Sequence, residues 1–248
     1  MLDTVAQWLR EARSIVVLTG AGISTESGIP DFRGPQGVWT KDPEAEKRAD
    51  ISYWLSDSEV RTGGWKRRIE SPAFAAEPNP GHFALAALEH KARLELLVTQ
   101  NVDGLHLAAG SSTEKLVEIH GNVREFMCMN CPDRGAIERV LARVREGDLD
   151  PACRSCGGIL KTATISFGQS LVAEDLVRSQ AAASRCDLFL AIGTSLVVYP
   201  VAELPAMALQ NRARLVVATA EETPYDRYAD ATLREPLGAL LPDLVGRV

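Results

Sequence analysis

The chain has 248 residues, of which 46% are hydrophobic, and it carries a formal net charge of -6 with a pI near 5.4. A chain of this length and hydrophobic content can bury a sizeable core, most simply as one domain with a smaller inserted unit. The acidic balance argues against a protein that binds nucleic acid through clustered Lys and Arg, and no apolar run approaches the roughly 20 residues that span a bilayer. We therefore expect no direct nucleic-acid or membrane partner and a cytoplasmic location. The sequence leaves the oligomeric state open, with a monomer favoured.

The apolar pattern predicts an α/β fold. An amphipathic helix begins the chain, because apolar side chains follow helical spacing at Leu2, Val5, Trp8, Leu9 and Ala12. Strand-like runs follow at Ile15 to Leu18, Leu94 to Val98, Leu188 to Ile192 and Leu215 to Ala218. They alternate with helical patterns such as Phe83 to His90 and Ala202 to Gln210. This alternation predicts a Rossmann-like parallel sheet with helices on both faces.

Two stretches interrupt the alternation. Residues 35–80 are polar, contain tryptophans and are helical in pieces, and residues 124–161 hold four of the five cysteines. We predict that both are insertions that form one smaller domain, with a helical module at about 35–80 and a zinc ribbon at about 124–161. The Rossmann-like part then comprises about 1–34, 81–123 and 162–248 of a single domain that spans residues 1–248.

The cysteines occur in two pairs with a metal-binding spacing. Cys128-x2-Cys131 and Cys153-x2-Cys156 are separated by 21 residues, which matches a zinc ribbon in which four thiolates close a tetrahedral site. Such a site leaves no open position for catalysis, so the zinc is predicted to be structural. Two independent redox pairs are the alternative. The fifth cysteine, Cys186, is most simply a small buried hydrophobic residue.

Polar motifs follow the predicted strands. Three of them come directly after strands: Gly20-Ala21-Gly22-Ile23-Ser24, Gln100-Asn101-Val102-Asp103-Gly104 and Gly193-Thr194-Ser195. A fourth motif, His120-Gly121, ends the apolar run Leu116 to Ile119. Strand ends of a parallel sheet meet at one edge, where such folds bind ligands, so these motifs predict a nucleotide site. Glycines after a strand also serve plain tight turns. The fingerprint of a dehydrogenase is incomplete, since Thr25 occupies the third glycine position and no second strand ending in an acidic residue follows.

Several polar side chains in these motifs are candidates for chemistry. Asn101 and Asp103 lie two residues apart and would point the same way in an extended chain, although both are also common turn formers before glycine. His120 is the candidate base, because an imidazole accepts a proton near neutral pH; a single histidine is also often structural. The loop Asp31-Phe32-Arg33 places an acid, an aromatic ring and a cation side by side, or is simply a solvated loop with a local ion pair.

Two further segments are candidates for peptide binding. Residues 165–169 and 196–200 read as extended and partly apolar. If both have free edges near the site, a peptide could be held between them by backbone hydrogen bonds. The alternative is that both are ordinary core strands.

Taken together, these motifs occur in the order found in the sirtuin family of NAD-dependent protein deacylases, and the chain resembles that family from Ser14 to about Val245. The resemblance implies NAD as cosubstrate, one structural zinc ion and acyl-lysine proteins or peptides as substrates. It implies a reaction that cleaves NAD, releases nicotinamide and transfers the acyl group, most simply acetyl, to ADP-ribose. Protein ADP-ribosyl transfer and a non-catalytic NAD-sensing module are the alternatives.

The resemblance also implies roles for individual residues. The catalytic residues would be His120, as the general base, and Asn101. The residues that bind NAD would be Gly20, Ala21, Gly22, Ser24, Ile29, Asp31, Phe32, Arg33, Trp39, Gln100, Asn101, Asp103, Gly193, Thr194, Ser195, Thr219 and Leu237. The substrate would contact Ile165, Phe167, Gly168, Gln169, Val197 and Val198. Zinc would be held by Cys128, Cys131, Cys153 and Cys156.

Some positions depart from the family pattern. Thr219 stands where the family usually has Asn, and Gln169 replaces the usual acid after Phe-Gly. Family members that remove acidic acyl groups carry a Tyr-x2-Arg pair in the helical insertion. The nearest stretch here is Trp65-Lys66-Arg67-Arg68, and because Trp65 has no phenol, the sequence does not support an acidic acyl group, although Arg67 or Arg68 leaves the question open.

Overall fold

Two sheets with their helices make up the chain in the computed structural model, which describes residues 1–34 and 37–248. Pro35 and Gln36, with which the predicted helical insertion begins, lie outside the described residues. The described part forms nine strands, β1 (Ile15–Thr19), β2 (Leu94–Thr99), β3 (Leu116–Glu118), β4 (Gly121–Cys128), β5 (Arg134–Ala136), β6 (Leu160–Thr164), β7 (Leu188–Ile192), β8 (Arg214–Ala218) and β9 (Ala231–Leu233). It also forms eleven α-helices, α1 (Leu2–Glu11), α2 (Val38–Lys41), α3 (Pro43–Arg48), α4 (Ile51–Ser56), α5 (Ser58–Ile69), α6 (Pro80–Lys91), α7 (Leu105–Ala108), α8 (Glu138–Arg145), α9 (Ala173–Ala183), α10 (Leu204–Gln210) and α11 (Leu237–Gly246).

The larger sheet is parallel and has the strand order β3-β2-β1-β7-β8-β9. Counted within this sheet alone, that is the Rossmann order 3-2-1-4-5-6, so the predicted fold class is confirmed. All four predicted strands are present. The sequence pattern did not mark β3 as a member of the sheet and missed β9, because strands of three residues are too short to show periodicity.

The sheet is buried on both faces, as its apolar strands require. Alternate side chains of β1 enter two different cores: Ile15 and Val17 pack with α1, α6 and α11, while Val16 and Leu18 pack with α9 and α10. This alternation follows from the two-residue period of a strand. The predicted N-terminal helix is present, with Val5 buried against the first of these cores.

The two predicted insertions share one hydrophobic cluster. β5, β4 and β6 form a three-stranded antiparallel sheet, and Trp54 and Trp65 of the helical module pack with side chains of this sheet and of α8. Trp54 Nε1 donates to the carbonyl oxygen of Leu160 at 3.0 Å. A hydrogen-bonded ion pair between Arg61 and Asp150, 2.8 Å at its shortest, joins the same two parts. We refer to these insertions together as the small domain.

The small sheet extends past the predicted domain boundaries. β4 begins at Gly121 and β6 ends at Thr164, so both strands enter the stretches that the sequence assigned to the Rossmann-like part. The domain division itself stays a prediction. Among the described helices, none has both the length and the apolar character needed to cross a bilayer.

Candidate active site and metal centre

A continuous cleft of about 1520 Å³ runs between the carboxyl edge of the large sheet and the small domain. It includes the point where β1 and β7 are neighbours, which is the topological switch point of this strand order. A cleft of this size exceeds the several hundred Å³ of a typical single-ligand pocket. It therefore has room for a dinucleotide together with a second group.

Three glycines let the turns after β1 and β7 touch. A Cβ at Gly20 would lie 2.8 Å from the carbonyl oxygen of Gly193, and a Cβ at Gly22 would lie 2.8 Å from its Cα. Gly193 has φ +60°, and a Cβ there would lie 2.5 Å from the backbone nitrogen of Ile23. The glycines are thus required by backbone packing, and this packing leaves the turn backbones as the floor of the cleft.

Side-chain hydrogen bonds join the three strand-end motifs. Gln100 Nε2 donates to Thr194 Oγ1 at 2.8 Å. Asn101 Nδ2 donates to the carbonyl oxygen of Gly20 at 3.1 Å and to Ser24 Oγ at 3.0 Å. The motifs after β1, β2 and β7 therefore meet at one sheet edge, as the sequence predicted.

Ser24 is the centre of a buried polar network. Its hydroxyl donates to Asp103 Oδ2 at 2.7 Å and accepts from Asn101. Asp103 Oδ1 accepts from the backbone N–H of Leu105 at 2.9 Å. Ser24 is 1% exposed and Asp103 is 5% exposed. The buried network therefore holds the side chains of Asn101 and Asp103 in fixed orientations.

Two histidines support this network. His82 Nδ1 accepts from the backbone N–H of Asn79 at 3.3 Å, so its Nε2 carries the proton and points it at Ser24 Oγ, 3.4 Å away. His106 Nε2 lies 3.0 Å from Thr19 Oγ1, and the two imidazole rings lie edge to face at 4.9 Å between centroids. Burial lowers the pKa of His82, against the charge of Asp103, and lowers the pKa of His106 to about 3. Both rings are therefore neutral at pH 7.

His120 follows β3 and lines the cleft. Its Nδ1 lies 3.1 Å from the carbonyl oxygen of Gln100, and because a carbonyl only accepts, Nδ1 carries the proton. The free lone pair is then on Nε2, the nitrogen that can take up a proton. Burial lowers the pKa of His120, and its hydrogen bond to Gln100 opposes this shift. The neutral, basic form of the ring therefore persists to a pH below 6.5, the usual pKa of histidine.

An aromatic row crosses one side of the cleft. The ring centroids of Phe32 and Trp39 are 4.8 Å apart, and those of Trp39 and Phe167 are 5.6 Å apart. The Arg33 guanidinium lies 4.3 Å from the Trp39 ring. Asp31 Oδ1 accepts from the backbone N–H of Gly34 at 3.0 Å and so closes the loop. The predicted cofactor loop and the predicted peptide segment are thus in contact.

The two predicted peptide segments are less open than the sequence suggested. Phe167 forms an isolated bridge to Asp50, since its N–H donates to the Ala49 carbonyl at 3.0 Å and its carbonyl accepts from Ile51 at 2.9 Å. Its backbone edge is therefore already paired within the chain. Gln169 Oε1 accepts from the Ser166 N–H at 3.3 Å and closes the turn. Neither segment is a regular strand.

The far end of the cleft is formed by β8 and the start of α11. Thr219 is 9% exposed, and its carbonyl oxygen accepts from Arg234 Nη1 at 2.7 Å. Leu237 lines the same end. Both residues predicted for this part of the cofactor site therefore border the cleft.

Most of the predicted cofactor and substrate residues line the cleft, but four do not. The four are Ser24, Ile29, Asp103 and Val197. Ser24 and Asp103 lie beneath the wall and use their polar atoms within the network described above. Their effect on a ligand is therefore through Asn101 and the neighbouring backbone.

The four predicted zinc ligands form one cluster. Their sulfur atoms all lie within 4.8 Å of one another, with 3.6 Å between Cys128 and Cys156 and 3.7 Å between Cys131 and Cys153. Thiolates about 2.3 Å from a central zinc ion in a tetrahedron would be about 3.8 Å apart. These separations are too long for disulfides, which have S–S distances of about 2.05 Å. Because all four sulfur atoms are free and belong to one cluster, the arrangement fits a single closed structural zinc site and does not form two separate redox pairs.

A family model described as the Sir2 family matches residues 20–200. The chain belongs to the Sir2 family. The match covers the cleft-forming turns, the cysteine cluster and the peptide segments described above. The resemblance inferred from the motifs is thereby confirmed.

Full-length relatives and solved structures agree with this family membership. A Streptomyces coelicolor protein named NAD-dependent protein deacetylase 2 is 48% identical over 231 residues, which cover 93% of this chain and 96% of that protein. A Sulfolobus acidocaldarius NAD-dependent protein deacetylase is 41% identical over 245 residues, covering 98% and 94%. A structure of Sir2 with a p53 peptide and NAD+ has a TM-score of 0.87 at 35% identity, covering 99% of this chain and 98% of that one. Sir2Tm bound to a propionylated peptide has a TM-score of 0.88 at 34% identity, covering 99% and 97%.

Sequence reasoning missed two histidines in this Sir2-family chain. The sequence around His82 and His106 contains no motif that indicates a site. One local signal was available for His82: Asn79 is the N-cap of α6 and His82 is its N3 residue, and the two form a capping box. That signal predicts the start of a helix, but not the contact with Ser24, which is 58 residues away in the sequence.

Proposed function

We propose that this Sir2-family chain removes acyl groups, acetyl among them, from lysines of proteins or peptides in an NAD-dependent reaction that releases nicotinamide and O-acyl-ADP-ribose. The observation that carries the proposal is that Asn101 and His120 line one cleft, with Asp103 held in the hydrogen-bond network beneath its wall. The names of the relatives, which are NAD-dependent protein deacetylases, support it. A non-catalytic NAD sensor would not need a neutral base such as His120 at the cleft wall.

The residues of the chain would have separate roles in binding NAD and in moving a proton. NAD, when bound, supplies the electrophilic ribose carbon and the nicotinamide leaving group. The glycine turns at Gly20, Gly22 and Gly193 suit the close approach of a pyrophosphate. His120 would accept a proton at Nε2 from a hydroxyl in the cleft, a step that typically contributes about 100-fold to 10,000-fold. Asn101 would be held in place by Gly20 and Ser24.

The remaining contacts are assigned from the residues that border the cleft and, for Ile29 and Val197, from the motifs in which these two residues lie. We assign the dinucleotide to the residues of the turns, the Asp31 loop and the far end of the cleft, which are Ala21, Ile29, Phe32, Arg33, Trp39, Gln100, Thr194, Ser195, Thr219 and Leu237. We assign the acyl-lysine peptide to the two segments on the opposite rim, at Ile165, Phe167, Gly168, Gln169, Val197 and Val198. Because the Phe167 edge is already paired with Asp50, a peptide would bind along the other side of this segment.

The cysteine cluster would hold one structural zinc ion through Cys128, Cys131, Cys153 and Cys156. Four thiols placed for a metal and not paired as disulfides suit a reducing compartment, and on this ground we propose a cytoplasmic location. We also propose a monomer, which size-exclusion chromatography with light scattering would test.

One experiment tests the activity. The protein is incubated with NAD and an acetyl-lysine peptide, and the products are identified by mass spectrometry. We expect free lysine peptide, nicotinamide and O-acetyl-ADP-ribose; modified protein in their place would indicate ADP-ribosyl transfer. The variant His120→Ala should lose turnover while it keeps its zinc and its circular dichroism spectrum. Unchanged turnover in this variant would contradict the assigned base.

A further inference from the structure

A second cavity opens on the surface beside the cleft. Its volume is about 530 Å³, which is within the range of pockets that hold small ligands. Most of its lining comes from α10 and from the segment between β8 and β9. We call it the tyrosine pocket, because Tyr199, Tyr225 and Tyr228 all line it. None of the roles proposed above uses this pocket.

Two of the three tyrosine rings are exposed to water. Tyr199 is 67% exposed and Tyr228 is 52% exposed. Tyr225 lies deeper, with its hydroxyl donating to the Ala202 carbonyl at 2.7 Å and its ring centroid 6.4 Å from that of Tyr228. Exposed apolar side chains that occur singly are ordinary, but several around one concavity mark an interaction site. The rings therefore form a surface that a ligand can cover.

The charges beside the pocket favour a neutral ligand. The Arg227 guanidinium carbon lies 4.6 Å from the centre of the Tyr228 ring, and a cation in this position repels a second cation. On the other side, burial raises the pKa of Tyr225, and the nearby Tyr199, Glu203 and Tyr228 add to this shift. Glu203 is thus close enough to oppose an acidic ligand. A neutral aromatic ring meets neither objection and can stack on the tyrosines.

Tyr199 connects the pocket to the cleft. It lines both cavities, and the preceding residue, Val198, lines the cleft on the rim that we assign to the acyl-lysine peptide. The Tyr199 side chain is therefore a wall that the two cavities share. An extended chain advances about 3.3 Å per residue, so a peptide that leaves the cleft past Val198 reaches the pocket within a few residues.

We propose that the tyrosine pocket binds an aromatic side chain of the substrate protein, from a residue close in sequence to the acyl-lysine. The inference rests on the proposed deacylase function and adds a second contact with the same substrate. Backbone hydrogen bonds along a peptide segment tolerate many sequences. A ring in the pocket would instead select among substrates, because a small side chain such as alanine leaves Tyr199 and Tyr228 in water.

The test is a scan of one acetyl-lysine peptide. Each of the four positions on either side of the acetyl-lysine, a reach of about 13 Å in each direction, carries phenylalanine, lysine, glutamate or alanine in turn. Binding of the fluorescently labelled peptides to the full chain is measured by anisotropy, and kcat/KM is measured with NAD. We expect phenylalanine to bind about 5-fold to 30-fold more tightly than alanine at one position or two adjacent positions, as burial of one ring predicts.

Variants identify the pocket as the source of the preference. Tyr228→Ala removes an exposed ring and should reduce the phenylalanine-to-alanine ratio to less than about 3-fold, whereas Tyr228→Phe should keep most of it. Gln210→Trp places a ring of the chain itself in the pocket and should also abolish the ratio; Gln210 is exposed and lines the pocket. Tyr53→Ala is the matched control, since Tyr53 is 45% exposed but lines neither cavity, and it should keep the full ratio.

Equal binding of the phenylalanine and alanine peptides at every position would overturn the inference, as would a ratio that survives in both Tyr228→Ala and Gln210→Trp. A preference for lysine or glutamate at the selected position would reject the aromatic ligand. A larger mass of the unmodified chain than of Tyr228→Ala in light scattering would show that a second copy covers the pocket instead.

The proposed function fails separately. Turnover of the acetyl-lysine peptide without a preference at any position would reject the tyrosine pocket alone. A preference for phenylalanine in binding, without turnover of any acetyl-lysine peptide, would reject the deacylase function but uphold the pocket.

Discussion

Replacing Ser24 by alanine is predicted to destabilise the protein, although Ser24 does not line the cleft. The hydroxyl donates to Asp103 Oδ2 and accepts from Asn101, with His82 also aimed at it. Alanine leaves Asp103 Oδ2 without its donor in a position that is 5% exposed. Loss of a hydrogen bond to a charged group costs about 1.5–3 kcal/mol. The bond from Asn101 adds about 1 kcal/mol at most, since Asn101 keeps the Gly20 carbonyl.

We therefore expect Ser24→Ala to lower the free energy of unfolding by about 3 kcal/mol, or the melting temperature by about 6–12 °C in a chain of this size. Urea denaturation followed by circular dichroism measures this directly. Thr25→Ala is the matched control, because the neighbouring hydroxyl is exposed and makes one hydrogen bond, to the Gly22 carbonyl at 3.0 Å; it should cost less than about 0.5 kcal/mol. Equal stability of the two variants would refute the assigned role of Ser24.

Three further outcomes are expected. Chelation, or Cys156→Ser, should release one zinc ion per chain, measured with a metallochromic dye, and should unfold the small domain, because its hydrophobic cluster includes Cys128 and Cys153. The acid limb of kcat/KM against pH should lie below pH 6.5, since burial lowers the pKa of His120 and the base is active when neutral; a limb above pH 6.5 would contradict this. His82→Gln should raise KM for NAD, with only a small decrease in the free energy of unfolding. An unchanged KM would show that His82 has a purely structural role.

The parts of the fold that could be predicted are those whose cause is local. The strand β1 is a short apolar run, and its burial on both faces follows from that composition. The cysteine cluster could be predicted because the Cys-x2-Cys spacing itself sets the turn that presents two thiolates. The convergence of Gly20, Asn101 and Gly193 followed from parallel topology, which carries strand ends to one edge.

The parts that could not be predicted depend on contacts between distant segments. Arg68 and Thr162 are 94 residues apart, and nothing in either segment indicates the other. The pairing of Phe167 with Asp50 likewise joins two distant segments. The sequence indicated an extended conformation only for the segment that contains Phe167, so this segment was expected to have a free edge. Periodicity reports which face is buried, but it does not report which polar group lies opposite.

The placement of charge around the cleft is consistent with the proposed reaction. Expulsion of nicotinamide leaves the ribose carbon electron-poor, so a cation beneath that carbon would oppose the step. His82 and His106 lie beneath the cleft wall, in contact with Ser24 and Thr19, and burial lowers the pKa of both rings. Asp103 is the acidic group of the same network. The cations Arg67, Arg68 and Lys161 lie instead on the small-domain wall of the cleft. On this arrangement, His82→Lys should slow nicotinamide release by adding positive charge next to Asp103, whereas His82→Gln should slow it less; equal rates in the two variants would show that charge beneath the cleft does not matter.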